Sequence, residues 1–214
     1  PARFISDRSV MSRPSLLMCR PIYYRIAYEI NPWMSLKRQA HAARAQRQWQ
    51  YLVQLLTRQL GARIHLIAPH PNVPDLVFTA NAGLVDGRTS IRSNFRYPQR
   101  QPEEPIVERY FRRAGYRVVT LDRRYHFEGE GDALWVGRTL IVGFRFRSDA
   151  PVHEALARIL NARVLPVELA DRRFYHLDTC FCPLDAHRAL WFPKAFDRYG
   201  RKVIESVVED LISV

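Results

Sequence analysis

Cysteine is scarce in this sequence: three residues, at 19, 180 and 182, in a chain of 214. That is too few for a disulfide framework, so a reducing, cytoplasmic setting is the default expectation. Lysine is nearly missing, found only at 37, 194 and 202, so the net charge of +12 is almost wholly arginine. The arginines are scattered, and no basic block with interleaved aromatics forms the strip that RNA binding requires. No apolar run reaches the roughly 18–20 residues that span a bilayer. Neither nucleic acid nor membrane is therefore an expected partner. The first residues, PARFISDRSVMSRPS, lack both an initial Met and an apolar signal core. Residues 1–16 read as a disordered or non-native leader, with Met11 as a candidate start. The remainder is long enough for one domain with a real core, and its 47% hydrophobic content is ordinary.

What is present is a repeat. Ser35 caps an expected helix over 35–60, whose Trp49, Leu52, Val53, Leu55, Leu56 and Leu60 make a helical stripe ended by Gly61. ARIHLIAPHP then reads as a strand stopped by prolines. LVFTANAGLV (76–85) reads as an apolar strand, Asp86-Gly87 as a hairpin turn, and RTSIRSN as the return. A helix near 103–114 and the strand YRVVTLD follow. ALWVGRTLIVGF, a helix near 151–160 and RVLPVEL repeat the order. YHLDTCFCPLDAHRALWFP opens it a third time and leads to a helix near 201–211. The unit is strand–strand–helix–strand, roughly 45–55 residues long, and such units stack on their neighbours to bury each face. The opening segment resembles a first copy. The pattern predicts three complete units and a fourth that lacks its closing strand.

Three polar stretches stand at the first strand of the last three repeats: PDLVFTANAG with Asp75 and Asn81, FEGEGDAL with Glu128, Glu130 and Asp132, and FYHLDTC with His176 and Asp178. Equivalent positions in a cyclic array point at one axis, so these groups are expected to converge. Gly129 and Gly131 permit close backbone approach there. Carboxylates with one imidazole suit a planar cation rich in N–H donors, a guanidinium above all. Ligand spacing for a metal is not met: Cys180-x-Cys182 falls short of the usual gap and has no second pair. RRFYHLDTCFCPLD (172–185) reads as a strand, which puts His176 and Cys180 about 13 Å apart at roughly 3.3 Å per residue. That excludes a Cys–His couple unless the chain folds back, and both cysteines read as inert.

PDLVFTANAG, FEGEGDAL, YHLDTCFCPL and the early MCRPIYYRIAYEINPWM resemble the guanidino-group modifying enzyme (pentein) superfamily of arginine deiminases, dimethylarginine dimethylaminohydrolases, arginine dihydrolases and amidinotransferases. The FTANAG form is most similar to the arginine dihydrolase-like branch. The resemblance covers 17–214. It implies an α/β five-bladed propeller and hydrolysis of a guanidino C–N bond through a covalent cysteine intermediate, with no cofactor and no metal. It implies that Asp75 and Asp178 hold the guanidinium, that Asp132 contributes to substrate binding, and that His176 is the general acid/base. Glu128 is implied as the carboxylate partner of His176. Many relatives read Glu-Gly-Gly-Asp where this chain has Glu128-Gly129-Glu130-Gly131-Asp132, which keeps Glu130 as a second candidate. Asn81 replaces an acid of other branches and is expected to tune the product. The nucleophile of the family comes from its last blade, which this chain is expected to lack. Residues 17–214 would then be an incomplete catalytic domain, inactive alone, with an exposed edge that a second copy could cover. An amidinotransferase and a non-catalytic guanidine-binding relative are the alternatives.

Overall fold

The computed structural model describes residues 13–214. The proposed leader lies mostly outside the described residues, as does Met11, but Ser15 and Leu16 already belong to the first strand, so the domain begins earlier than expected.

Four small sheets follow one another along the chain. The first pairs β1 (Ser15–Cys19) in parallel with β2 (Arg63–Ile67), across α1 (Ala42–Arg58). Three three-stranded sheets share one plan. An inner strand runs antiparallel to a middle strand, and the middle strand pairs in parallel with an outer one after a helical crossover. These are β3 (Gly83–Asp86), β4 (Thr89–Arg92) and β5 (Arg117–Thr120) around α2 (Glu104–Arg113). Next come β6 (Ala133–Val136), β7 (Thr139–Phe144) and β8 (Arg163–Glu168) around α3 (Val152–Leu160). The last are β9 (Phe181–Pro183), β10 (Arg188–Trp191) and β11 (Asp210–Ser213) around α4 (Arg198–Glu205).

Two expectations are corrected by this topology. The fourth unit does have its closing strand: β11 pairs with β10 from Arg188↔Asp210 to Trp191↔Ser213. Leu211 lies in β11 and not in the expected helix near 201–211, because the helix ends at Glu205 and the chain turns. The short unit is the first, where β1 and β2 correspond to a middle and an outer strand.

Local chemistry explains the helix bounds. α1 starts at His41, whose ring accepts from the Arg44 amide, rather than at Ser35. Asn161 ends α3 in the left-handed region, and the Asp197 carboxylate caps α4 by accepting from Tyr199 and Gly200. Between successive sheets lie three apolar clusters. Val107, Phe111 and Leu76 anchor the first. Leu84, Ile91, Phe127 and Leu140 anchor the second. Ile141, Leu177, Phe181 and Ile204 anchor the third. Each such fully buried side chain contributes roughly 1.5–3 kcal/mol against exposure, and none of the sheets could bury its faces alone.

The larger correction concerns the segments expected to be first strands. Residues 76–85 form two 3-10 turns, Pro74–Val77 and Thr79–Ala82, before β3 begins at Gly83. Gly129–Gly131 form a third ahead of β6, and Leu177–Thr179 a fourth ahead of β9. The segment 172–185 is therefore extended only briefly, and its polar residues do not share one strand face. Propensity favoured strands, but Pro74 starts a turn, and local bonds such as Phe78 N–H to Asp75 O and Cys180 N–H to Leu177 O close the others.

Candidate active site

These turns pack against one another at the inner ends of the sheets, with Thr79–Ala82 beside Gly129–Gly131 and that turn beside Leu177–Thr179. Asn81, Glu128, Asp132 and His176 converge, while Glu130 and Asp178 do not join them. His176 lies at the centre, 4% exposed. Its Nδ1 is 3.2 Å from Asp132 Oδ1, and its Nε2 is 3.4 Å from Glu128 Oε2. Asn81 Nδ2 also stands 3.4 Å from Nε2. The contact at Nδ1 is one of charge, off the line of a hydrogen bond. The same Asp132 Oδ1 accepts from the Leu177 amide at 3.1 Å, which ties the backbone next to His176 to this carboxylate.

Both carboxylates are themselves held. Asp132 Oδ2 accepts from Ser148 Oγ at 2.6 Å, and Ser148 Oγ accepts from the Glu128 amide at 3.0 Å. Glu128 Oε1 accepts from the Arg96 amide at 3.2 Å, and Oε2 from Arg147 Nη1 at 3.0 Å. Arg147 lies between the rings of Tyr97 and Tyr175 and donates through Nη2 to Ile30 O. Glu130 goes elsewhere, accepting from the Val85 amide at 3.1 Å. The geometry thus puts Glu128, and not Glu130, against His176. Asp132 stands behind the imidazole, buried and satisfied.

Burial opposes charge on His176, but Asp132 and Glu128 outweigh it and raise the imidazole to about 9. Burial likewise opposes the Glu128 carboxylate, and His176, Arg147 and Arg100 outweigh that and lower it to about 2. The imidazole of an unfolded chain titrates near 6.5, so both states hold the proton below that pH and the stabilisation is fully present. It is lost as pH rises from 6.5 through about 9. The loss is about 3 kcal/mol at most. We expect the urea midpoint to fall across this window and the slope to flatten in His176→Gln. A wild-type midpoint that stays level there would mean that the buried ring is neutral.

Farther along the same chain of contacts, Arg100 joins Asn81 to the Asp75 backbone carbonyl, and Tyr28 lies near Asp75. Burial raises the Asp75 carboxyl, against lowering by Arg100, Tyr28 and Arg147. Tyr28 is raised by burial and by Asp75. The two are near enough to shift each other's titration, yet Asp75 Oδ1 and the Tyr28 hydroxyl are both buried without a completed hydrogen bond. Such orphan atoms cost about 1–3 kcal/mol each unless a ligand or water meets them. Asp178 is exposed at the rim. The protein packed around it pushes its carboxyl up to about 6, with His176 lowering and Asp132 raising it. Because the side chain itself is open to water, screening reduces that shift, and Asp178 serves as an anion near neutral pH.

The cysteines stand apart from the imidazole. The turn at Leu177–Thr179 does fold Cys180 back toward His176, against the extended-strand distance. Its thiol is spent on backbone, however, with Sγ 3.5 Å from Leu177 O and 3.8 Å from His176 O, and burial raises it to about 12. Cys19 is buried and raised by that burial to about 11. Cys182 is exposed on β9, and its Sγ meets Pro183 O.

The sequence reading missed Arg147, Ser148, Arg100, Glu103 and Tyr28. A signal for one of them, Ser148, existed. Ser93 follows β4 and donates to Asn81 O, as Ser148 follows β7 and donates to Asp132. Extending the repeat alignment past each middle strand exposes that pairing.

No family model matches the chain. Individual proteins do. It is 46% identical over 197 residues to the bifunctional arginine dihydrolase/ornithine cyclodeaminase AgrE of Nostoc, covering 91% of this chain and 28% of AgrE. It is 37% identical to the N(G),N(G)-dimethylarginine dimethylaminohydrolase of Mycobacterium tuberculosis, covering 92% of this chain and 64% of that one. A solved structure of the N-terminal domain of ArgZ, an arginine dihydrolase from the ornithine-ammonia cycle in cyanobacteria, has a cysteine-to-serine substitution and bound substrate. It superposes with a TM-score of 0.88 at 42% identity, covering 94% of this chain and 75% of the other. The chain therefore belongs to the pentein superfamily of guanidino-group modifying enzymes, in the branch of the arginine dihydrolases and dimethylarginine hydrolases. Its four sheets are blades of the α/β propeller. It spans little more than a quarter of the length of AgrE. The relatives named are hydrolases, which does not favour the amidinotransferase alternative.

Proposed function

We propose that this chain binds arginine or a related guanidino compound and supplies the acid/base half of its hydrolysis through a covalent thiol intermediate. The observation that carries this reading is a buried imidazole between Glu128 and Asp132, linked through Asn81 and Arg100 to Asp75, whose buried Oδ1 no described residue satisfies. Asp75, with Asp178 at the rim, receives the cationic end groups of the substrate, and Asn81 lies against the reacting carbon. Asp132 acts by holding His176 rather than by touching substrate. A thiolate adds to the guanidino carbon, the C–N bond breaks, and His176 gives its proton to the departing ammonia. His176 then takes a proton from the water that displaces the thiol. None of Cys19, Cys180 and Cys182 is placed for that attack, so the covalent step needs a thiol that these residues do not provide. A cytoplasmic setting suits this chemistry and three unpaired cysteines.

Calorimetry on the 214-residue chain tests the binding half. Arginine should bind at least about tenfold more tightly than ornithine, which lacks the guanidinium that matches paired carboxylates. Ammonia release from arginine should stay at background, because without the nucleophile almost none of the rate remains. A folded chain with no preference for arginine would end the guanidino reading. Turnover equal to that of a cysteine-bearing relative would end the claim that its thiols are idle.

A further inference from the structure

The two ends of the Asn81 amide have nearly one shape and opposite chemistry. One end is only an acceptor, the other only a donor. Arg100 cannot accept, so the end facing its Nη1 at 2.8 Å must be Oδ1. The NH2 group then faces His176 Nε2 at 3.4 Å and Glu128 O at 3.5 Å. Arg100 is held in turn. Its Nε and Nη2 each donate at 2.8 Å to the two carboxylate oxygens of Glu103, and its guanidinium lies over the Phe95 ring. Glu103 is 1% exposed, on the 3-10 turn that leads into α2, outside the groups that surround His176.

We propose that Glu103 is a positioning residue that, through Arg100, sets which end of the Asn81 amide faces His176. This rests on reading Asn81 and His176 as the reacting site. The orientation gives His176 Nε2 two partners with opposite demands. The Asn81 NH2 suits an unprotonated Nε2, and the Glu128 carboxylate suits a protonated one. A proton shuttle needs both states within reach, and a turned amide, offering its oxygen, would lock the imidazole in its charged form. The charged groups that face the ring are Glu128, Asp132 and Asp178, with Tyr175 beside it. None of these side chains but the imidazole itself bonds the Asn81 amide. The Glu128 carbonyl meets the NH2 end at a long 3.5 Å, and Arg100, which only donates, holds Oδ1 at 2.8 Å, the shortest bond the amide makes.

The test is NMR of the whole chain without substrate, so its failure is separable from a failure to bind arginine. In the wild type, the Asn81 Nδ2 protons should exchange slowly and show a nuclear Overhauser contact to the His176 ring. Glu103→Gln removes one charge and loosens Arg100. The freed amide should exchange about tenfold faster, and the His176 titration should rise by about half a pH unit as Oδ1 turns to Nε2. Loss of a negative charge alone moves that titration down. A fall, or no change, overturns the proposal. Glu104→Gln removes the same charge from the next residue, whose carboxylate serves Arg92 and the Phe95 amide, and should leave Asn81 exchange as it was. Should the Glu103 variant fold poorly, the wild type decides. Rapid Nδ2 exchange, or no contact between Nδ2 protons and the His176 ring, overturns the proposal by itself.

Discussion

Glu128→Ala is expected to cost about 3–5 kcal/mol of folding stability, the size of a broken buried ion pair. The carboxylate is fully buried and serves three partners: the Arg147 guanidinium, the Arg96 amide and Nε2 of His176. Its removal leaves Arg147, itself 3% exposed, with the Ile30 carbonyl and two aromatic faces to hold a full charge. Urea denaturation reads the loss, and the double variant Glu128→Leu with Arg147→Met should recover most of it, since no lone charge remains buried. In the single variant, the His176 titration should drop toward the ordinary histidine range, because one of its two anions is gone. A loss under about 1 kcal/mol, as for a surface pair, would mean that water reaches Arg147 and that the site is open.

Gly131→Ala should weaken arginine binding by roughly 10- to 100-fold, the equivalent of one or two buried hydrogen bonds. A Cβ at this position would lie 2.2 Å from Asn81 Nδ2 and 3.2 Å from His176 Nδ1. Asn81 cannot swing aside freely, because Arg100 holds its oxygen. The added methyl therefore breaks that bond or separates the turns that carry Asn81 and His176. Gly87→Ala is the control. Its φ of +54° makes any side chain unfavourable, but nothing lies within 4 Å. It should lose about 1 kcal/mol of stability and leave arginine binding unchanged. Equal binding losses in the two variants would show that the effect at Gly131 is global rather than steric at the site.

Much of the architecture was legible in residue order. The hairpin turns at Asp86-Gly87 and around Gly137, the crossover helices and the outer strands β2, β5 and β8 follow from periodicity and from glycine in the left-handed region, whereas β11 does not. So does the convergence of three polar stretches, because a repeat carries equivalent positions to one axis. By itself, residue order determined that a histidine, several acids and an amide would meet in a basic protein, and that guanidinium was the cation to expect. Only the tertiary structure decided which partner each group has. Strand propensity at 76–85 and 172–185 lost to local 3-10 bonding, and that change turns Cys180 onto backbone carbonyls and sets His176 against Glu128 and Asp132. Glu128 and Glu130 are indistinguishable as letters two apart; a positive φ of +62° at Gly129 sends one to His176 and the other to the Val85 amide. The physical reason is range. Periodicity is a property of neighbours in sequence, whereas the pairings Arg147–Glu128, Ser148–Asp132 and Asn81–His176 join residues 19, 16 and 95 positions apart, and only packing brings those together.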